Sequence, residues 1–133
     1  MNREELVNEA FKAMENAYAP YSNYHVGAAV LTCDGTVFWG ANIENASYGA
    51  TNCAERSAVF AAYSRGYRKE TIKALAIVSD GDRLAGPCGI CRQVLGELLE
   101  QDTPIYLSNH KENMDTCIRE LLPMQFGMED VIR

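Results

Sequence analysis

The chain has 133 residues, 47% hydrophobic and 23% charged, with a formal net charge of −6. That length and composition suit one soluble domain, residues 1–133, and exclude disorder and low complexity. The acidic balance, without a dense Lys/Arg cluster, argues against polymeric nucleic acid as a partner, and the short apolar runs argue against a membrane span.

In chain order, Leu6, Ala10, Ala13, Met14 and Ala17 recur at helical spacing, so a first helix is expected from Glu4 to Tyr18, ended by Pro20. Val26 to Cys33 and Thr36 to Asn42 read as strands joined by a two-residue Asp34-Gly35 hairpin turn. The polar stretch Ile43 to Asn52 reads as a functional loop. A second helix is expected from about Cys53, with Asn52 as its cap and Gly66 at its close. Ile72 to Val78 has the look of a buried strand and Ser79 to Gly86 of a loop. Pro87, in a first helical turn, is expected to open a third helix through Leu95, Leu98 and Leu99. Pro104 to Leu107 reads as a fourth strand, and a short helix at Cys117 to Leu122 is expected, with room for a fifth short strand before it. A hairpin followed by alternating strands and helices argues for an α/β domain: a three-layer α/β/α sandwich around one mixed sheet of about five strands.

Two motifs carry chemistry. Cys53-Ala54-Glu55 and Pro87-Cys88-Gly89-Ile90-Cys91 supply three soft ligands and one carboxylate that is not a ligand. A catalytic zinc takes three protein ligands and keeps a fourth position for water, whereas a structural zinc takes four. Cys53, Cys88 and Cys91 therefore suggest a hydrolytic zinc centre, one ion per chain, with Glu55 as its proton carrier. Both motifs fall at expected helix starts, where unpaired amides and the helix dipole favour thiolates. Three thiolates overcompensate Zn²⁺, and Arg56 is the candidate cation that draws charge from them. A redox pair or half of a structural zinc ribbon is the plainer reading of Cys88 and Cys91 alone. A structural site would recruit Cys33 or Cys117 as its fourth ligand, but both read better as small buried hydrophobes. His25 and His110 have no partner at ligand spacing and are read as surface or satisfied-core residues. Met1 to Ala10 alternates charge with apolar residues instead of forming a signal-peptide core, so a cytoplasmic location with reduced thiols is expected.

Further segments add to these motifs: Tyr21-Ser22-Asn23-Tyr24-His25-Val26-Gly27-Ala28-Ala29, Gly40 to Gly49, Cys91-Arg92-Gln93-Val94 and Leu121-Leu122-Pro123-Met124-Gln125-Phe126. Together they make the chain resemble, over nearly all its length, the small homotetrameric cytidine deaminases of the cytidine/deoxycytidylate deaminase superfamily. The zinc motifs alone mark only the superfamily.

The resemblance implies hydrolytic deamination of cytidine and deoxycytidine in pyrimidine salvage. Cys53, Cys88 and Cys91 would bind zinc, Glu55 would shuttle protons, and Arg56 would offset thiolate charge. Asn42 and Glu44 would meet the ribose hydroxyls, and the backbone of Ala54 and of the Cys88 region the pyrimidine edge. Tyr24 stands where the family usually has a stacking Phe, which keeps the aromatic face and adds a hydroxyl. Tyr48 and Phe126 would reach a neighbouring subunit's pocket in a homotetramer. The alternatives are a deaminase of another cytosine nucleoside such as blasticidin S, a non-catalytic zinc-stabilised interaction domain and, last, an editor of RNA or DNA. No residue visibly reads the 2′ position.

Overall fold

The computed structural model describes residues 1–132. Helix α1, Arg3–Met14, opens on a reciprocal capping box in which Asn2 Oδ1 accepts the Glu5 amide at 2.9 Å and Glu5 Oε1 accepts the Asn2 amide at 3.1 Å. It stops short of the expected Tyr18. Tertiary pairing overrides the apolar spacing there, because the Tyr18 amide donates to the Asn42 carbonyl at 2.9 Å and Tyr18 bridges to Ile43.

Strands β1, Val26–Thr32, and β2, Val37–Ala41, form the hairpin. Its tip is longer than the two-residue turn expected from Asp34-Gly35. The Thr32 amide donates to the Thr36 carbonyl at 2.9 Å, which leaves Cys33, Asp34 and Gly35 as the tip, with Gly35 at φ +89°. After helix α2, Ala54–Ser64, comes strand β3, Ile72–Ser79. Helix α3, Gly89–Leu98, carries the chain over to strand β4, Ile105–Ser108, parallel to β3. Strand β5, Asn113–Thr116, and the short helix α4, Ile118–Leu121, complete the fold.

The sheet order is β2-β1-β3-β4-β5, antiparallel except at β3/β4. Alternate residues of β1 and β3 face opposite layers, and both layers are apolar. Ala29, Leu31, Ala74, Ala76 and Val78 pack under Leu6, Val7 and Ala10 of α1. Ala28, Val30, Leu75 and Ile77 face Ala58, Val59 and Ala62 of α2 and Leu95 beyond them. The result is the expected α/β/α sandwich around a mixed five-stranded sheet.

Two glycines set the helix-to-sheet distance. A Cβ on Gly40 would collide with the Ala54 carbonyl and come within 2.5 Å of the Ala58 amide, so the first turn of α2 lies directly on β2. Gly27 does the same for α1 on the opposite face, where a Cβ would meet the Ala10 carbonyl and lie 2.6 Å from the Met14 amide.

Both helix starts in the metal motifs differ from expectation by a residue or two. Cys53, rather than Asn52, is the N-cap of α2, and Asn52 Nδ2 donates to Ser57 Oγ at 2.9 Å instead. Pro87 stays outside α3, whose N-cap is Cys88. Gly66 does close α2, at φ +93°. Among the described residues no helix is long and apolar enough to cross a membrane.

Candidate active site

Cys53 and Cys88 are thus both N-caps, and neither side chain makes a capping hydrogen bond to its helix. Their sulfurs are free to meet each other. Cys53 Sγ lies 3.9 Å from Cys88 Sγ, Cys88 Sγ lies 3.5 Å from Cys91 Sγ, and all three fall within 4.8 Å of one another. Among the described residues these form the one group of cysteine, histidine or carboxylate side chains disposed to hold a metal. Cys33 and Cys117 do not join it. Neither is the buried residue expected from sequence: Cys33 is exposed on the hairpin tip and Cys117 is half-buried at the start of α4.

The electrostatics favour thiolate at Cys53. The Cys91 thiol, followed by the Arg56 guanidinium, holds Cys53 down at about 5 against the opposing effect of burial. Cys91 is pushed up, because its proton serves the Cys53 sulfur and because it is buried. Arg56 Nη2 sits 3.3 Å from Cys53 Sγ, and its buried Nε has no protein partner. A guanidinium fixed against sulfur is what a site with three anionic ligands requires. The donor set fits zinc.

Glu55 follows in the first turn of α2 and is 4% exposed. Burial pushes its carboxyl up to about 7, helped by the adjacent Cys53 thiolate. A carboxyl poised there can take or give a proton near neutral pH.

Beside the cysteines the chain builds a polar rim. The Ile43–Asn52 bridge, with both amides donating at 3.0 Å, closes the polar loop and brings Asn42 and Glu44 next to the start of α2. Asn42 is buried and spans two backbones: Oδ1 accepts the Val26 amide at 2.9 Å, and Nδ2 donates to the Tyr24 carbonyl at 2.8 Å. One amide hydrogen of Asn42 is left for a ligand. The Glu44 carboxylate accepts the Ser22 hydroxyl and the amides of Tyr21 and Ser22, the latter at 2.9 and 3.1 Å, which holds it below the usual carboxylate range.

Tyr24, 36% exposed, stands on this rim, while Ala54 is fully buried at the start of α2. Tyr48 and Phe126 are exposed. Tyr48 is 78% exposed and meets Tyr21 edge-on, and Phe126 is 63% exposed with its carbonyl accepting from Gln93 Nε2.

Three contributors escape the sequence reading. Ser22 holds Glu44. Arg92 donates to the Pro87 carbonyl at 2.7 Å and the Leu121 carbonyl at 2.9 Å, tying the loop before Cys88 to the end of α4. His25 pairs with Asp80, and His110, the other histidine, stacks on Phe11 at 3.9 Å. No residue spacing signals these roles, because Glu44, Leu121, Asp80 and Phe11 lie far along the chain from the residues they meet.

Residues 1–106 match the model of the family described as "cytidine and deoxycytidylate deaminase zinc-binding region". The chain belongs to this family. It is 52% identical to a cytidine deaminase of Halalkalibacterium halodurans over 98% of both chains. It is 48% identical to a cytidine deaminase of Sporosarcina psychrophila, over 98% of this chain and 96% of that one. A crystal structure of cytidine deaminase from Burkholderia pseudomallei superposes with a TM-score of 0.91 at 46% identity, covering 95% of this chain and all of that one.

Proposed function

We propose that this chain is a zinc-dependent enzyme that hydrolyses cytidine and deoxycytidine to uridine or deoxyuridine and ammonia. The observation that carries the reading is three cysteine sulfurs within 4.8 Å of one another, two of them at helix N-caps, with a buried acid in the first turn beside them. Full-length identity to cytidine deaminases supports the same reading.

Cys53, Cys88 and Cys91 would hold one zinc. Bound there, the ion supplies Lewis acidity at the position that three protein ligands leave open. Glu55 takes a proton from the attacking water and delivers it to N3, which makes C4 electrophilic; the water oxygen adds to C4. Glu55 then takes the remaining proton from the C4 hydroxyl and passes it to the exocyclic amine, so that the C4=O bond forms as the C4–N bond breaks and ammonia leaves. Arg56 keeps the sulfurs from donating so much charge that the Lewis acidity is lost.

Asn42 and Glu44 would bind the ribose hydroxyls, Tyr24 would stack near the base, and the backbone at Ala54 and Cys88 would meet the pyrimidine edge. The exposed aromatics Tyr48 and Phe126 would complete a neighbour's pocket in a homotetramer, which sedimentation at catalytic concentration tests. We infer one catalytic domain over residues 1–133, acting on a free nucleoside in the cytoplasm.

Ultraviolet assays with cytidine, deoxycytidine and blasticidin S, run side by side, test the substrate assignment. Glu44 would accept from a ribose hydroxyl but repel a substrate carrying its own carboxylate. Turnover of the two simple nucleosides is therefore expected. Turnover of blasticidin S alone would overturn the assignment.

A further inference from the structure

We propose that His25 and Asp80 form a positioning pair that fixes Tyr24 and Glu44 for nucleoside binding. The proposal rests on the deaminase reading above and extends it to two residues outside the metal centre.

The β1/β3 ladder ends at the pair Val26–Ser79, and His25 and Asp80 are the next residue on either side. They are joined three ways. Asp80 Oδ1 accepts the His25 amide at 2.9 Å, Asp80 Oδ2 lies 2.6 Å from His25 Nδ1, and the Asp80 amide donates to the His25 carbonyl at 3.1 Å. The side chains are 34% and 38% exposed, and a half-exposed polar contact of this kind adds little to global stability. What it does set is local geometry.

Each partner is next in sequence to one half of a tight contact. Tyr24 precedes His25 and Gly81 follows Asp80, and a Cβ on Gly81 would come within 2.8 Å of Tyr24 Cε1. The tyrosine ring therefore rests on bare Gly81 backbone. From Tyr24 the constraint passes to Glu44: the Tyr24 amide donates to Ser22 Oγ at 3.0 Å, and that hydroxyl donates to the Glu44 carboxylate. Releasing the pair would loosen both rim residues and leave the three cysteines and Glu55 where they are.

The test is steady-state kinetics on the zinc-loaded enzyme, with zinc content and thermal midpoint measured for every variant. Asp80→Ala is expected to raise KM for cytidine about tenfold, the scale of one lost charge-assisted hydrogen bond, with kcat within about twofold and zinc unchanged. His25→Ala keeps its backbone amide bond and should raise KM less. The double variant should match Asp80→Ala, because the two residues act through each other. Should Asp80→Ala fail to fold, Asp80→Asn, which keeps an acceptor for the His25 amide, should give an intermediate KM.

Wild-type turnover combined with an unmoved KM in these variants, additive effects in the double variant, or a fall in kcat at constant KM would overturn the pair alone. A wild-type enzyme that turns over neither nucleoside would overturn the underlying reading as well.

Discussion

Glu55 shows how one residue is made suitable for proton transfer by its surroundings. It sits in the first turn of a helix, where the dipole favours the anion, yet burial and a neighbouring thiolate favour the neutral acid. The second effect prevails. Glu55→Gln keeps the shape and removes the proton carrier, so zinc content should stay near one per chain while kcat falls about 10²–10⁴-fold. Near-normal turnover in that variant would refute the role.

Asp34 presents the opposite case at the hairpin tip. The Thr32 and Tyr67 hydroxyls and the Thr36 amide bind its carboxylate and hold it far below the ordinary value of 3.8. A depressed folded pKa gives stability that is fully present above the unfolded value and is lost as pH falls below it. Wild type should therefore have a higher urea midpoint than Asp34→Asn at neutral pH, with the gap closing as pH drops below 3.8. A gap independent of pH would show that the carboxylate's charge is not what is bound.

At the scale of elements, the site depends on where α2 and α3 begin. The two cysteine motifs signal helix starts, and the spacing of Cys88 and Cys91 brings both sulfurs to one turn, so the metal centre was largely legible in sequence. The caps were less so. Asn52 is a better N-cap residue than Cys53 by propensity, yet its amide group is engaged by Ser57 and the cap passes to the cysteine. The end of α1 departs from its apolar pattern for a related reason, since Ala17 keeps helical spacing but Tyr18 is drawn off by Asn42. Local pattern yields where a distant backbone group competes for the same amide.

Gly40 and Gly27 permit a comparison between the two helical layers. Alanine at either position overpacks a helix-to-sheet contact and should cost about 1–3 kcal/mol of stability. Only Gly40→Ala presses on the first turn of α2, which carries Cys53 and Glu55. Zinc affinity should therefore fall in Gly40→Ala and hold in Gly27→Ala, as competition with a chelator would measure. Equal affinity in the two variants would mean that the contact at Gly40 does not locate the metal ligands.

Over the whole molecule, the binary pattern of β1 and β3, apolar on both faces, already called for helices above and below the sheet, and the layers follow. The rim at Tyr24, Asn42 and Glu44 could be named only through family resemblance. Its supports, Ser22 and the His25–Asp80 pair, reach across the chain and leave no periodic trace. Tyr48, Phe126 and the fully exposed Met124 leave apolar surface open to solvent on the single chain.

All of this turns on how many protein atoms hold the metal. Zinc K-edge X-ray absorption on the purified enzyme reads that number directly. The account predicts three sulfurs at about 2.3 Å and one oxygen at about 2.0 Å that exchanges with solvent. A fourth protein ligand, whether Cys33, Cys117 or any other side chain, would close the centre and contradict the hydrolytic role.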